Sequence, residues 1–162
     1  MNIQNADYWI GLLNLKPHPE GGFYKEVFRS KLEILRKTSA ASKRACTSIY
    51  YLLEGSDFSA FHRLASDELW YYHKGESLLI YELNSHGMLV THELSDQETG
   101  HLSIAIEAGS WFAAAILSGN KFSLVSCAVS PGFEFSEFEM ANKEELQRIF
   151  PTHYEMIGRF CK

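Results

Sequence analysis

At 162 residues the chain is long enough to bury a substantial core without help from a metal or a disulfide, and its length fits one domain spanning 1–162. Its composition, 46% hydrophobic and 22% charged, is that of a folded protein rather than a disordered one. A net charge of −5 with no lysine or arginine cluster argues against nucleic acid as a partner, and no apolar run approaches the roughly 20 residues of a membrane span.

The amino terminus, MNIQNADYWIGLL, lacks the basic region and long apolar core of a secretory signal, so we read the protein as cytoplasmic. From Asn5 to about Leu15, residues Tyr8, Trp9, Leu12, Leu13 and Leu15 fall on one helical face, and Asn5 is a candidate N-cap. HPEGG (18–22) breaks the pattern. Its two glycines permit positive backbone dihedrals or close backbone approach, and we read the segment as a structural turn whose polar residues either satisfy local backbone groups or reach a barrel mouth. FYKEVFRS then alternates as a strand. Lys31 to Arg44, the nearest approach to a basic run, is interrupted by Glu33 and small polar residues and reads as a solvated loop.

From ACTSIYYLLEG to FSLVSCAVSPG the chain is a succession of short strands, most of them punctuated by Gly, Asn, Ser or Asp. With no helical pattern long enough for a crossover, this spacing predicts an antiparallel sandwich or barrel. The last thirty or so residues change character. Asn142 with Glu145 predicts a capped helix through Phe150, and Thr152 with Glu155 a second one. No internal repeat or linker divides the chain. Cys46, Cys127 and Cys161 are too few and too far apart for a disulfide framework and read as inert thiols.

The segment HRLASDELWYYHKG (62–75) carries the candidate chemistry. Its His, Glu and Gly are spaced to place a histidine and a carboxylate on adjacent antiparallel strands. Alternation puts Ala60, His62 and Leu64 in one row, facing inward with Glu68, Trp70 and Tyr72, while Leu69, Tyr71 and His73 point outward.

Five segments together resemble the cupin superfamily, and within it the cupin-5 subfamily of small proteins with largely unassigned function. They are HPEGGFYKEVFRS (18–30), TSIYYLL (47–53), FHRLASDELWYYHKG (61–75), EAGSWFAAA (107–115) and SCAVSPGFEFSEFEMA (126–141). The resemblance implies a mainly β fold, an antiparallel double-stranded β-helix (jelly-roll, cupin barrel) with short N-terminal and C-terminal helices. It also implies a homodimer. The general cupin pattern has two histidines separated by one residue, a glutamate, and a third histidine across the barrel. His62, Glu68 and Gly75 match, but Leu64 stands where the second histidine belongs. In the second motif Gly109 fits, Glu107 takes the proline position and Phe112 the histidine position. Two remaining ligands are too few for a firmly held first-row metal, so we expect no metal and no other cofactor.

What remains is a polar pair in an aromatic-walled cavity suited to a small molecule. We read His62 as the general acid or base, Glu68 as its orienting partner and Tyr72 as a proton donor, with Tyr50, Trp70, Phe112 and Arg29 as ligand contacts. Charge from Glu68 and burial push the His62 ionisation in opposite directions. Arg29 could meet a substrate carboxylate or phosphate, or form an ordinary salt bridge. Glu134 and Glu137 suit a strand edge or a dimer contact. Superfamily members that epimerise nucleotide sugars without a metal make a sugar or carbonyl isomerase the leading reading. A non-catalytic metabolite-binding barrel is the alternative, and a metal-dependent dioxygenase or hydrolase the least favoured.

Overall fold

The structure, a computed structural model, describes residues 4–35, 42–116 and 121–162. Helix α1 (Ala6–Leu13) opens on Asn5, whose side chain accepts the Tyr8 amide at 3.0 Å, so the predicted cap forms. The strands that follow are β1 (Lys16–Pro17), β2 (Phe23–Arg29), β3 (Glu33–Leu35), β4 (Ser42–Arg44), β5 (Thr47–Glu54), β6 (Phe58–Leu64) and β7 (Asp67–Gly75). After them come β8 (Leu78–Leu83), β9 (Leu89–Leu94), β10 (Ser103–Ile106), β11 (Trp111–Ile116), β12 (Phe122–Ser130) and β13 (Phe138–Met140). Helices α2 (Lys143–Ile149) and α3 (Tyr154–Phe160) close the described chain.

A six-stranded sheet in the order β1-β2-β5-β12-β7-β10 faces a five-stranded sheet in the order β13-β6-β11-β8-β9. The strand pairs are antiparallel throughout both. This is the double-stranded β-helix of a cupin barrel, with helices at both ends of the chain.

Alternation along each strand explains how the layers fill. On β5, Tyr51 and Leu53 point between the sheets, where they join Trp70, Ile80, Phe112 and Val125. Leu52, between them, points outward and is buried under α1 with Ala6, Leu15 and Leu124. On β6 and β11, Phe61 and Ala113 face outward beneath Leu146 of α2 and Ile157 and Phe160 of α3. Each sheet is therefore apolar on both faces in its middle. That is why several strands read as continuous hydrophobic runs rather than as clean alternation.

Two local expectations are corrected. Lys31 to Arg44 is not simply a solvated loop: β3 and β4 pair as a ribbon, and Lys43 turns inward to meet Glu134 at 3.1 Å and Glu137 at 3.3 Å. The two carboxylates compensate a buried ammonium that composition alone assigned to solvent. Residues 36–41 of that stretch lie outside the described residues. At the carboxyl end, Asn142 caps α2 by accepting the Glu145 amide at 3.0 Å, but the Thr152 capping box does not form. Pro151 opens a 3₁₀ turn over Pro151–His153 directly after α2, which leaves Thr152 inside the turn. Among the described residues no helix is long and apolar enough to cross a membrane.

Candidate active site

A cavity of about 360 Å³ opens at one end of the barrel. His62 reaches it from β6 and Glu68 from β7, so the imidazole and the carboxyl belong to opposite sheets yet line one space. Both are buried, as the inward assignment of their rows requires.

The partner of His62 is Glu20, not Glu68. His62 Nδ1 lies 2.8 Å from the Ala60 carbonyl oxygen, an acceptor, which assigns a proton to Nδ1. Nε2 faces Glu20 Oε2 at 3.3 Å. Glu20 is itself buried, and its own carbonyl accepts the Ala60 amide at 3.1 Å. The same β6 residue thus fixes both members of the pair.

The HPEGG turn delivers Glu20 because its glycines admit backbone where no side chain fits. Gly21 has φ +124°, and a Cβ there would collide with the Phe58 carbonyl. Gly22 has φ +66°, and its Cβ would lie 2.5 Å from the Leu52 carbonyl oxygen. The Tyr51 hydroxyl donates to the Gly21 carbonyl at 2.8 Å and ties the turn down from inside the barrel. His18 completes the segment. Its Nδ1 accepts the Glu20 amide at 3.3 Å, which marks a neutral ring, and burial lowers its pKa in the same sense.

Glu68 has a different character. Burial, reinforced by the negative charge of Glu20, pushes its pKa up to about 8, so it is a neutral acid at pH 7. The Trp70 indole and Cys127 thiol favour the ionised form, but neither reaches Oε2, which has no hydrogen-bond partner among the described residues. Cys127 lines the cavity as a buried thiol whose pKa burial raises, away from thiolate chemistry. Cys46 and Cys161 are free and half-buried.

The other sequence-predicted residues separate by location. Arg29 lines the cavity rim with Glu26, Tyr24, Phe133 and Phe135. Trp70 and Phe112 lie behind the cavity in the barrel core, each 1% exposed; the Phe112 ring is 4.2 Å from the His62 ring and forms its backing. Tyr72 packs on the core away from the cavity and donates to the Gly75 carbonyl at 2.7 Å. Tyr50 is on the outer face, packed with the α1 cluster. Neither tyrosine faces His62. Tyr72 is nonetheless inward as alternation predicts, but two pleats beyond Trp70 it has passed the cavity.

Sequence reasoning did not assign Glu20, His18, Glu26, Tyr24 or the Phe133, Phe135 and Phe138 wall to the site. The signal for the first two was present in the paired glycines. Glu134, expected at an edge or interface, lies on the cavity rim, while Glu137 pairs with Lys43 beside it.

The donor set does not fit a metal of the general cupin kind. Leu64 contributes an apolar side chain to the cavity and Phe112 an apolar ring behind it. Among the described residues no group of three or more His, Cys, Asp or Glu is placed to hold an ion.

A two-sheet β-helix enclosing a mixed polar and aromatic pocket defines the chain as a barrel of the cupin type. More specifically, the chain belongs to the family described as Cupin superfamily (DUF985), whose model matches residues 7–141. It is similar to a hypothetical protein from Leishmania major, with 30% identity, 97% of this chain and 98% of that one covered, and a TM-score of 0.91. A Shewanella oneidensis protein of known crystal structure is 36% identical over 99% of both chains, with a TM-score of 0.89. Bacillus subtilis oxalate decarboxylase shares the fold at 14% identity and a TM-score of 0.55, over 89% of this chain and 36% of that one. No curated protein matches the sequence.

Proposed function

We infer that the barrel binds a small carbonyl compound and moves a proton next to the carbonyl without a metal, as an isomerase or epimerase does. The observation that carries this reading is the pairing, in one cavity, of a buried Glu20–His62 couple with a neutral Glu68 acid. A carboxyl set beside an imidazole, with a second carboxyl held neutral across the same cavity, offers the acceptor and the donor that proton abstraction and return require.

In this reaction the Glu20 carboxylate, backed by His62, takes the proton from the carbon next to the carbonyl. The C–H electron pair becomes the carbon–carbon double bond of an enediol, and Glu68 delivers its proton to the carbonyl oxygen. For an isomer, Glu20 returns its proton to the neighbouring, former carbonyl carbon while Glu68 takes one from the enediol hydroxyl on the first carbon. For an epimer, water gives a proton to the opposite face, Glu20 releases its own to solvent, and Glu68 recovers the enol proton. Glu20 is therefore the proton acceptor and His62 its orienting partner, in place of the acid–base role first given to His62, while Glu68 moves from orienting partner to proton-handling group. Glu68 takes the donor role first given to Tyr72.

Incorporation of deuterium from heavy water into a bound sugar or ketone tests the proposal. Loss of exchange in His62→Ala with the fold retained supports it. Ligand-dependent melting with no exchange in the unmodified protein would favour the non-catalytic binding barrel. The homodimer implied by resemblance is part of the proposal. The β2 edge beyond Tyr24, where Val27 and Phe28 are exposed, is an available strand, and sedimentation equilibrium reads the stoichiometry.

A further inference from the structure

We propose that the cavity accepts uncharged hydroxyl and carbonyl compounds and excludes phosphates and carboxylates, with the Glu26–Arg29 pair setting that preference. The proposal rests on the acid–base reading above and narrows its substrate class.

An anionic group needs an uncommitted cationic donor. Among the described residues lining the cavity, Arg29 is the only lysine or arginine, and its binding edge is occupied. Its Nε and Nη2 donate to the two carboxylate oxygens of Glu26 at 3.0 and 2.6 Å, and Nη1 donates to the Phe133 carbonyl at 3.4 Å. The fork that would grip a phosphate already holds a carboxylate.

This pairing is built into the strand. Residues three apart on a regular strand point to opposite faces. The pairing of β2 with β5 shifts register between Glu26 and Phe28, where Val27 is the extra residue, and that bulge returns Glu26 and Arg29 to one side. The pair is part-exposed and contributes little stability; its effect is on what enters.

The remaining groups agree. His18 is neutral, and His62 Nε2 faces Glu20. Lys43, beside the rim, is held by Glu134 and Glu137. An incoming anion would meet carboxyl oxygens and no free cation among these residues. An uncharged ligand meets a different surface. Glu68 lines the cavity, and its Oε2 is buried with no hydrogen-bond partner among the described residues, so a ligand hydroxyl or carbonyl that reached this carboxyl would satisfy it. At the mouth, Phe135 is 63% exposed and packs edge-on against Phe133 with centroids 5.1 Å apart, a flat apolar lip for the C–H face of a sugar or ketone.

The test uses saturation-transfer and ³¹P NMR with inorganic phosphate, a panel of small aldoses and ketoses, and glucose beside glucose 6-phosphate, gluconate and glucosamine. The native protein should show transfer to at least one uncharged sugar and none to phosphate or to the acidic members. E26Q removes the charge that neutralises Arg29 and should bring phosphate binding to about tenfold or more above the native detection limit. The double variant E26Q/R29Q should lose that gain. Should E26Q fail to fold, Glu26→Asp, which shortens the reach by one methylene, should show a smaller gain in the same direction.

Native binding of an acidic member or of the amine above its uncharged parent, no binding of any uncharged sugar, or no phosphate gain on releasing Arg29 would overturn the proposal. Absence of deuterium exchange with these selectivities intact would count against the acid–base reading alone. Reversed selectivities with exchange intact would count against this inference alone.

Discussion

Replacing Glu68 with glutamine should stabilise the protein in a pH-dependent way while removing the proposed acid. The amide nearly matches the carboxylic acid in shape and cannot ionise. In the native protein Glu68 holds its proton up to about pH 8, whereas in the unfolded chain it releases it near 4.5. Between those values the native state binds one proton more than the unfolded state, so unfolding releases a proton and rising pH favours the unfolded chain. The stability associated with the raised pKa is complete below pH 4.5, declines as pH rises, and is gone above about pH 8. At 1.36 kcal/mol per pH unit over that span, the loss is on the order of 5 kcal/mol. Urea unfolding of native protein and Glu68→Gln at pH 4, 6, 7 and 9 reads the difference directly. The gap should be small at pH 4 and widen steadily in favour of the variant up to about pH 8. A gap that stays constant across this range would show that Glu68 is not a buried neutral acid, and the proton-donor role would fall with it.

Glu20→Gln should lower deuterium exchange into a bound carbonyl compound by about 10² to 10⁴ while far-ultraviolet circular dichroism stays unchanged; unaltered exchange would remove the Glu20–His62 couple from the mechanism. Gly21→Ala places a Cβ against the Phe58 carbonyl at φ +124°, so we expect a cost of about 1–3 kcal/mol in denaturant unfolding, together with loss of exchange as Glu20 is displaced. Trp70→Ala empties a core position that is 1% exposed and should cost about 3–5 kcal/mol by the same measurement. A cost below 1 kcal/mol there would mean that the indole is not packed as described.

The strand succession was legible because strand length, punctuation and aromatic content agree, and alternation correctly sent His62, Glu68 and Trp70 inward. What alternation does not supply is depth along the barrel. Trp70 shares a face with Glu68 but sits one pleat further in, where the opposing sheet closes over it, and Tyr72 is further still. Hence an inward aromatic became core rather than pocket wall. Partners in space were harder again. Glu68 is six residues from His62 and joined to it by a turn, which made the two look paired, whereas Glu20 is 42 positions away and arrives only because Gly21 and Gly22 let the turn press against β5 and β6. The Val27 bulge, which sets Arg29 beside Glu26, leaves no sequence mark comparable to a glycine.

His62, which backs the proposed acceptor Glu20, and the proposed donor Glu68 ride on facing sheets, on β6 and β7, and the filling between those sheets includes the Trp70 and Phe112 rings at 6.3 Å. Under the proposed function, the span open to a substrate is therefore fixed by hydrocarbon bulk rather than by any residue that would touch it. Hydrostatic pressure, or a one-methylene change at either ring, would act as a fine adjustment of that span, shifting reaction rate with every polar group left in place.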